Sequence, residues 1–363
     1  MSGSIDPLNG ALGLLGSLVS NAALVRQQLT TLTQQASSGY QATDYSGLAA
    51  GAAQSALDLA PQISALAARQ GAIGAAAGPM GVAQTALTQI GAIANSLYAS
   101  LNSINTMTPS QTDSVAAQAR DALTQMAGLL NSRDGGIYVF AGQDSANAPV
   151  PGGDQIASSG FVTQISAAVA GLGGSGAAAT SASIFAIGAS NAAGTSPFSA
   201  SLSQAPASVN AGLPMVSDGS GQQMQVGIAA STNAFVSSTG SPTTGSYMRD
   251  IMTALATVGA LSSTQVNAGA DVMGLVQDVR TSLGGAITAL GQDQGELGNR
   301  QTQLQNESTA MGQTSTALSG QLAGADQVDT ATVLTTLSAT QTRLQASYQL
   351  ISGLSQLSLT KYI

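Results

Sequence analysis

The sequence predicts a mainly α protein. Its N- and C-terminal segments form a long antiparallel helical bundle or coiled coil, with a small β-rich central domain inserted between them. Three observations lead there. Ile5, Leu8, Leu12, Leu15, Val19, Ala22, Val25, Leu29 and Leu32 recur at spacings of three or four, and so do Val333, Leu337, Thr340, Leu344, Tyr348, Ile351, Leu354 and Leu357. Such a narrow seam on a helix is normally buried against another helix. Between the two ends lies a Gly/Ser/Ala-rich stretch almost empty of charge. Finally, with five Phe and no Trp among 363 residues, an aromatic-rich compact core is not expected; small side chains favour close-packed helices that must be long to be stable.

Taken in order, Leu8 to Val25 is apolar enough to raise a membrane reading. Asn9, Ser17, Ser20 and Asn21 interrupt it, and its length sits near the lower limit of about 17 residues for a span. A cleavable secretory signal needs positive charge ahead of its apolar region, whereas the first basic residue is Arg26 and Asp6-Pro7 precede the run. The seam is the better account. Ala36 to Gly51, with Ser37, Ser38, Gly39, Asp44, Ser46 and Gly47, reads as a break. A second helical tract runs from about Ala52 to Ile104, with Gly78-Pro79 expected as a kink or junction. A third begins near Ser110, where Asp113 suggests a capping arrangement, and extends to about Arg133.

Asp134-Gly135-Gly136 signals a turn, and Ile137-Tyr138-Val139-Phe140 is the densest run of β-formers. From Gly142 to about Gly245 there is no Lys or Arg; Phe161–Ile165, Ile184–Ile187 and Met224–Ala229 are the strand candidates of a small β-rich domain with long loops. Helical periodicity returns over Tyr247–Leu261 and from Ala270 to about Leu322.

Composition excludes most chemistry. Without His or Cys there is no serine–histidine triad, thiol nucleophile, disulfide or ordinary zinc site. The fifteen Asp and two Glu are scattered at the spacing of solvated helix faces, so no catalytic, cofactor or metal residue is expected and the chain is read as a non-enzyme. A net charge of -8 with a single Lys, Lys361, argues against nucleic acid as a partner.

Helices, excursion and returning helices resemble the bacterial flagellin family. Gln35-Ala36-Ser37-Ser38-Gly39 followed by Asp44 is similar to the family's stretch after the first helix, and Gly81-Val82-Ala83-Gln84-Thr85-Ala86-Leu87 with Ile90 and Leu97 to its second-helix signature. Leu129-Leu130-Asn131 through Asp134-Gly135-Gly136-Ile137-Tyr138-Val139-Phe140-Ala141-Gly142 most resembles the flagellar hook-associated (hook–filament junction) type, as do Leu344-Gln345-Ala346-Ser347-Tyr348 and Leu357-Ser358-Leu359. Filament-forming flagellin is the alternative within the family; a type III secretion translocator or a surface adhesin are readings from other classes.

The resemblance implies a terminal polymerisation domain (1–40 and 325–363), a helical bundle stem (45–140 and 247–324) and a variable β-rich outer domain (141–246). It implies export without a cleaved signal peptide and a place in the extracellular flagellum. The implied partners are copies of itself, other flagellar axial proteins (hook-associated protein, flagellin) and an export chaperone, with no membrane partner. The expected assembly interface comprises Leu8, Leu12, Leu15, Val19, Leu29, Leu337, Leu344, Tyr348, Ile351, Leu354 and Leu357. A middle region inserted into a bundle is also expected to be removable over roughly residues 150–240 without loss of the helices.

Overall fold

The computed structural model describes residues 7–103, 108–217, 221–238 and 240–359. In chain order the helices are α1 (Pro7–Ser38), α2 (Ala50–Ser103), α3 (Pro109–Leu130), α4 (Gly160–Ala170), α5 (Leu172–Ser175), α6 (Ala177–Ala189), α7 (Pro206–Ala211), α8 (Tyr247–Ala260), α9 (Ser263–Asn267), α10 (Val272–Asp326) and α11 (Thr330–Leu359). Among the described residues there are also four short strands: β1 (Arg133–Asp134), β2 (Ile137–Tyr138), β3 (Met215–Ser217) and β4 (Gln223–Gln225). They form two antiparallel two-stranded sheets, β1–β2 and β3–β4. The mainly α class with a small β insert is therefore what the chain adopts.

Contacts divide the chain into two units, one of residues 1–68 with 312–363, the other of 69–311. In the first, α1 packs along α11. Helix α1 ends as a glycine cap: Gly39 takes φ +77°, open to a residue without Cβ, and its N–H donates to the Gln35 carbonyl at 2.8 Å. Asp44 then receives Ser46 Oγ at 2.6 Å and the Gly47 N–H at 3.1 Å, shaping a 3-10 turn before α2 begins.

In the second unit α2 and α10 lie antiparallel. Gln70 Nε2 donates to the Ser308 carbonyl at 2.9 Å, Gln294 Nε2 reaches Thr88 Oγ1 at 3.4 Å, and a Cβ on Gly284 would sit 3.4 Å from the Tyr98 ring. Ile73, Leu87, Ile90 and Leu101 of α2 and Leu283, Leu290 and Leu297 of α10 are buried. Helix α2 runs through Pro79 as one element, so the junction expected at Gly78-Pro79 does not divide it. Helix α3 begins one residue earlier than expected, and its capping box uses Thr108 and Gln111 rather than Ser110 and Asp113. Asp113 instead accepts the Ser263 N–H at 2.8 Å, which ties α3 to the start of α9.

Asp134-Gly135-Gly136-Ile137 makes a tight hairpin with both glycines at positive φ. Beyond it Phe140 is fully buried, its carbonyl accepts the Ala230 N–H at 3.0 Å, and Ala141 bridges to Ala229.

The middle region departs from the expectation. Phe161–Ile165 and Ile184–Ile187 are not strands; they lie in α4 and α6. Phe161, Ile165 and Val169 fall at i, i+4 and i+8 and are all buried, and Ser159 caps the helix by accepting the Val162 N–H at 3.3 Å. Packing of that stripe overrides the β propensity of isolated Phe, Val and Ile. Both helices pack on α8, which also packs on α3 and is buried from Tyr247 through Gly259. Where α6 meets α8 only Gly188 fits: a Cβ there would run into Thr253 Oγ1.

The β3–β4 end is clasped to α10 by two charged side chains. Asp293, fully buried, accepts the N–H groups of Ala234 (3.0 Å), Phe235 (3.1 Å) and Val236 (2.9 Å). Burial pushes its pKa up, and the three backbone donors oppose that push. Two turns along, Arg300 lies over the Phe235 ring at 4.1 Å, donates to the Gln225 carbonyl at 2.9 Å and pairs with Glu296 at 2.9 Å.

Candidate assembly surface

The two terminal stripes meet where α1 and α11 pair. Helix α1 has its seam in Leu18, Ala22, Val25, Leu29 and Leu32, of which Ala22 is buried and the rest half-buried. Helix α11 contributes Val333 and Thr340, buried, and Leu337, Leu344 and Ile351, half-buried. Thr340 Oγ1 donates to the Thr336 carbonyl at 2.7 Å, so its hydroxyl is satisfied within the helix and its methyl is free to pack. Neither helix carries an acidic residue in its first turn or a basic one in its last.

The connections at one end hold the pair in register. The Gln41 N–H donates to the Asp326 carbonyl at 2.7 Å and the Val328 N–H to the Gly39 carbonyl at 3.0 Å, so the two linkers form a short antiparallel ladder. Because α1 ends and α11 begins at this ladder, the helices run antiparallel from it. Asp329 caps α11, receiving the Ala331 N–H at 2.9 Å and Thr332 Oγ1 at 2.9 Å. The Thr332 hydroxyl first, then these backbone donors, hold the Asp329 carboxyl below the ordinary carboxylate value. Asp44 is held low in the same way, first by the Ser46 hydroxyl and then by the Gly47 N–H.

The sequence-derived interface residues divide into three groups. Leu29, Leu337, Leu344 and Ile351 line the α1–α11 contact. Val19 and Tyr348 lie off it, 54% and 47% exposed: the inward register passes through Leu18 and Ala22 on one helix and Leu344 and Ile351 on the other. The side chains of Leu8, Leu12, Leu15, Leu354 and Leu357 lie outside the described residues, although their backbones belong to α1 and α11. Sequence reasoning passed over Leu24, Leu334 and Leu350, which are more than half exposed on the same helices. Their signal was available: each is a large apolar residue one step from the main stripe, which marks a helix with more than one apolar face.

Two helices packed only on each other cover one face of each. What remains is an apolar-studded surface with few charges, Arg26 and Arg343 among them, suited to packing of further helices. Among the described residues no cluster of three metal-ligating side chains occurs, and no helix is long and apolar enough to cross a membrane.

Residues 281–363, spanning most of α10 and all of α11, match the family model for the bacterial flagellin C-terminal helical region. No curated protein matches the chain. The match supports a relationship to the bacterial flagellin family over this C-terminal segment.

Proposed function

We propose that this chain is a structural subunit of the bacterial flagellum, exported and then assembled through its terminal helices at the hook–filament junction. The observation that carries the reading is the α1–α11 pair: it leaves Val19, Leu24, Leu334, Tyr348 and Leu350 uncovered, partly within the segment that matches the flagellin C-terminal region. An apolar surface of this kind is a liability in a free monomer and an interface in an assembly. Copies of the chain, repeating by heterologous contacts along a helical tube, would cover it. The same exposed surface supports an export chaperone as partner before assembly. Leu8, Leu12, Leu15, Leu354 and Leu357 would extend the interface toward the chain ends.

The junction, rather than the filament proper, is supported by the resemblance of Leu129–Gly142 to the hook-associated type, a segment that here ends α3 and turns through the β1–β2 hairpin. The neighbours are then hook-associated protein and flagellin, outside the cell.

The test is replacement of Leu344 and Ile351 by Asp. Each change sets an unpaired carboxylate into an apolar seam, at a cost of several kcal/mol. In a strain lacking the native gene, the double variant is expected to be made but not to restore swimming. Normal swimming would show that the α1–α11 pairing these two residues make within the subunit is not needed, and would overturn assembly through the paired terminal helices. Electron microscopy of the purified wild-type protein separates the two family readings, because long filaments would favour filament-forming flagellin over the junction subunit.

A further inference from the structure

Within residues 189–249 the second unit contains a cavity of about 430 Å³ lined mainly by amide and hydroxyl side chains, together with Ala189, Pro206, Val236 and Gly245 and one charged side chain, Arg249. That volume falls in the range of about 300–1,000 Å³ typical of small-molecule sites. Arg249 is 6% exposed, and its guanidinium is held only by neutral oxygens. Nε donates to the Ser231 carbonyl at 3.0 Å, Nη1 to the carbonyls of Gly188 (3.1 Å) and Ser190 (3.2 Å), and Nη2 to Asn191 Oδ1 at 2.6 Å. Of its five N–H donors, four are thus used and one on Nη2 remains. The Phe198 ring lies 5.0 Å from the guanidinium.

No carboxylate among the described residues pairs with this cation. Asp250, its neighbour in sequence, is committed elsewhere: it accepts Thr243 Oγ1 at 2.6 Å, the Thr244 N–H at 2.6 Å and Thr244 Oγ1 at 2.7 Å. A buried guanidinium without a counter-charge is costly unless something supplies one.

Two further groups in the lining are incomplete. Ser231 and Ser246 are buried, and neither hydroxyl has a hydrogen-bond partner. Serine hydroxyls turn between staggered χ1 wells, so both can serve a molecule in the cavity. A structural role alone explains part of the arrangement, since Arg249 caps the C-terminal carbonyls of α6. It does not account for the spare Nη2 donor together with two orphan buried hydroxyls around one polar cavity.

We infer that this cavity is a binding site for a small hydroxylated carboxylate of monosaccharide size, a sugar acid, whose carboxylate neutralises Arg249 and whose hydroxyls engage Ser231, Ser246 and the amides beside them. The donors left free suit a carboxylate, and the polar rim suits the remainder of such a molecule.

Isothermal titration calorimetry on the full chain, with galacturonate, galactose and inorganic phosphate as probes, tests the inference. Galacturonate is expected to bind saturably and at least about tenfold more tightly than galactose or phosphate, a difference of about 1.4 kcal/mol. Replacing Arg249 risks the fold, because it would orphan the α6 carbonyls. The informative variant is therefore Ser231→Ala with Ser246→Ala, which removes two hydroxyls that bond to nothing in the protein. It is expected to melt as the wild type does and to bind galacturonate at least about fivefold more weakly. Galacturonate binding no better than galactose, equal binding of phosphate, or undiminished binding by the double Ala variant would each overturn the inference.

Discussion

Under the proposed assembly, Val19 and Tyr348 distinguish contacts between subunits from packing within the subunit's own fold. Substituting both by Asp is expected to leave the subunit intact, because they are 54% and 47% exposed and surface changes away from special features are usually within about 0.5 kcal/mol. In an assembly that covers them the balance differs. Completing the burial of a large apolar side chain that is already half covered is worth about 1 kcal/mol, taking half of the roughly 1.5–3 kcal/mol for full burial. The pair therefore contributes about 2 kcal/mol per subunit contact. Asp forfeits that and adds the cost of an unpaired buried carboxylate, several kcal/mol more. A loss of about 5 kcal/mol weakens association by more than about a thousandfold. Circular dichroism melting reads the first expectation, and electron microscopy with swimming in a complemented strain reads the second. Wild-type assembly by the double variant would refute the reasoning outright. A large fall in melting temperature would show instead that these side chains are needed within the subunit.

Asp293→Ala should strip three part-buried backbone N–H groups of their acceptor and destabilise the second unit by about 3 kcal/mol, with Asp293→Asn intermediate because an amide keeps one acceptor oxygen. Urea unfolding gives the loss, and hydrogen exchange at residues 234–236 should rise first. The Asp44 and Asp329 carboxyls, both held below the ordinary carboxylate value of 3.8, support their turns fully above that value; the support is lost as pH falls through the lower folded-state pKa, so the Gly47 and Ala331 amide signals should move at lower pH than those beside an ordinary Asp. A shift of those signals near neutral pH would contradict the capping assignment. Deleting residues 150–240 removes α4 and α6 and uncovers two sides of α8, so the truncated chain is expected to bind a hydrophobic dye and lose the α8 helix, against the expectation of a freely removable insert. A deletion that melts cooperatively without binding dye would restore the independent-insert view.

The long helices were legible because their information is local and repeated. Thirty residues of three-and-four spacing determine α1, and the Ser-Ser-Gly stop and the Asp-Gly-Gly turn mark places where the backbone needs a residue without Cβ. The absence of His and Cys likewise limits the available chemistry without any coordinates. Tertiary structure decided what depends on neighbours distant in sequence. Phe161–Ile165 carries β-forming residues, yet α8 offers a face that a helix buries better, and propensity gives way to packing. Whether Val19 or Leu18 points inward turns on a rotation of one residue about the helix axis, which the partner helix sets and an apolar stripe two residues wide does not. Arg249 and Asp293 look in the sequence like ordinary helix charges; only the fold carries their partners, from Gly188 to Ser231 and from Ala234 to Val236, to within hydrogen-bonding distance. Helical period is written in neighbouring residues, while burial and counter-charge arise from pairs tens of residues apart, which is why the first could be read and the second had to be seen.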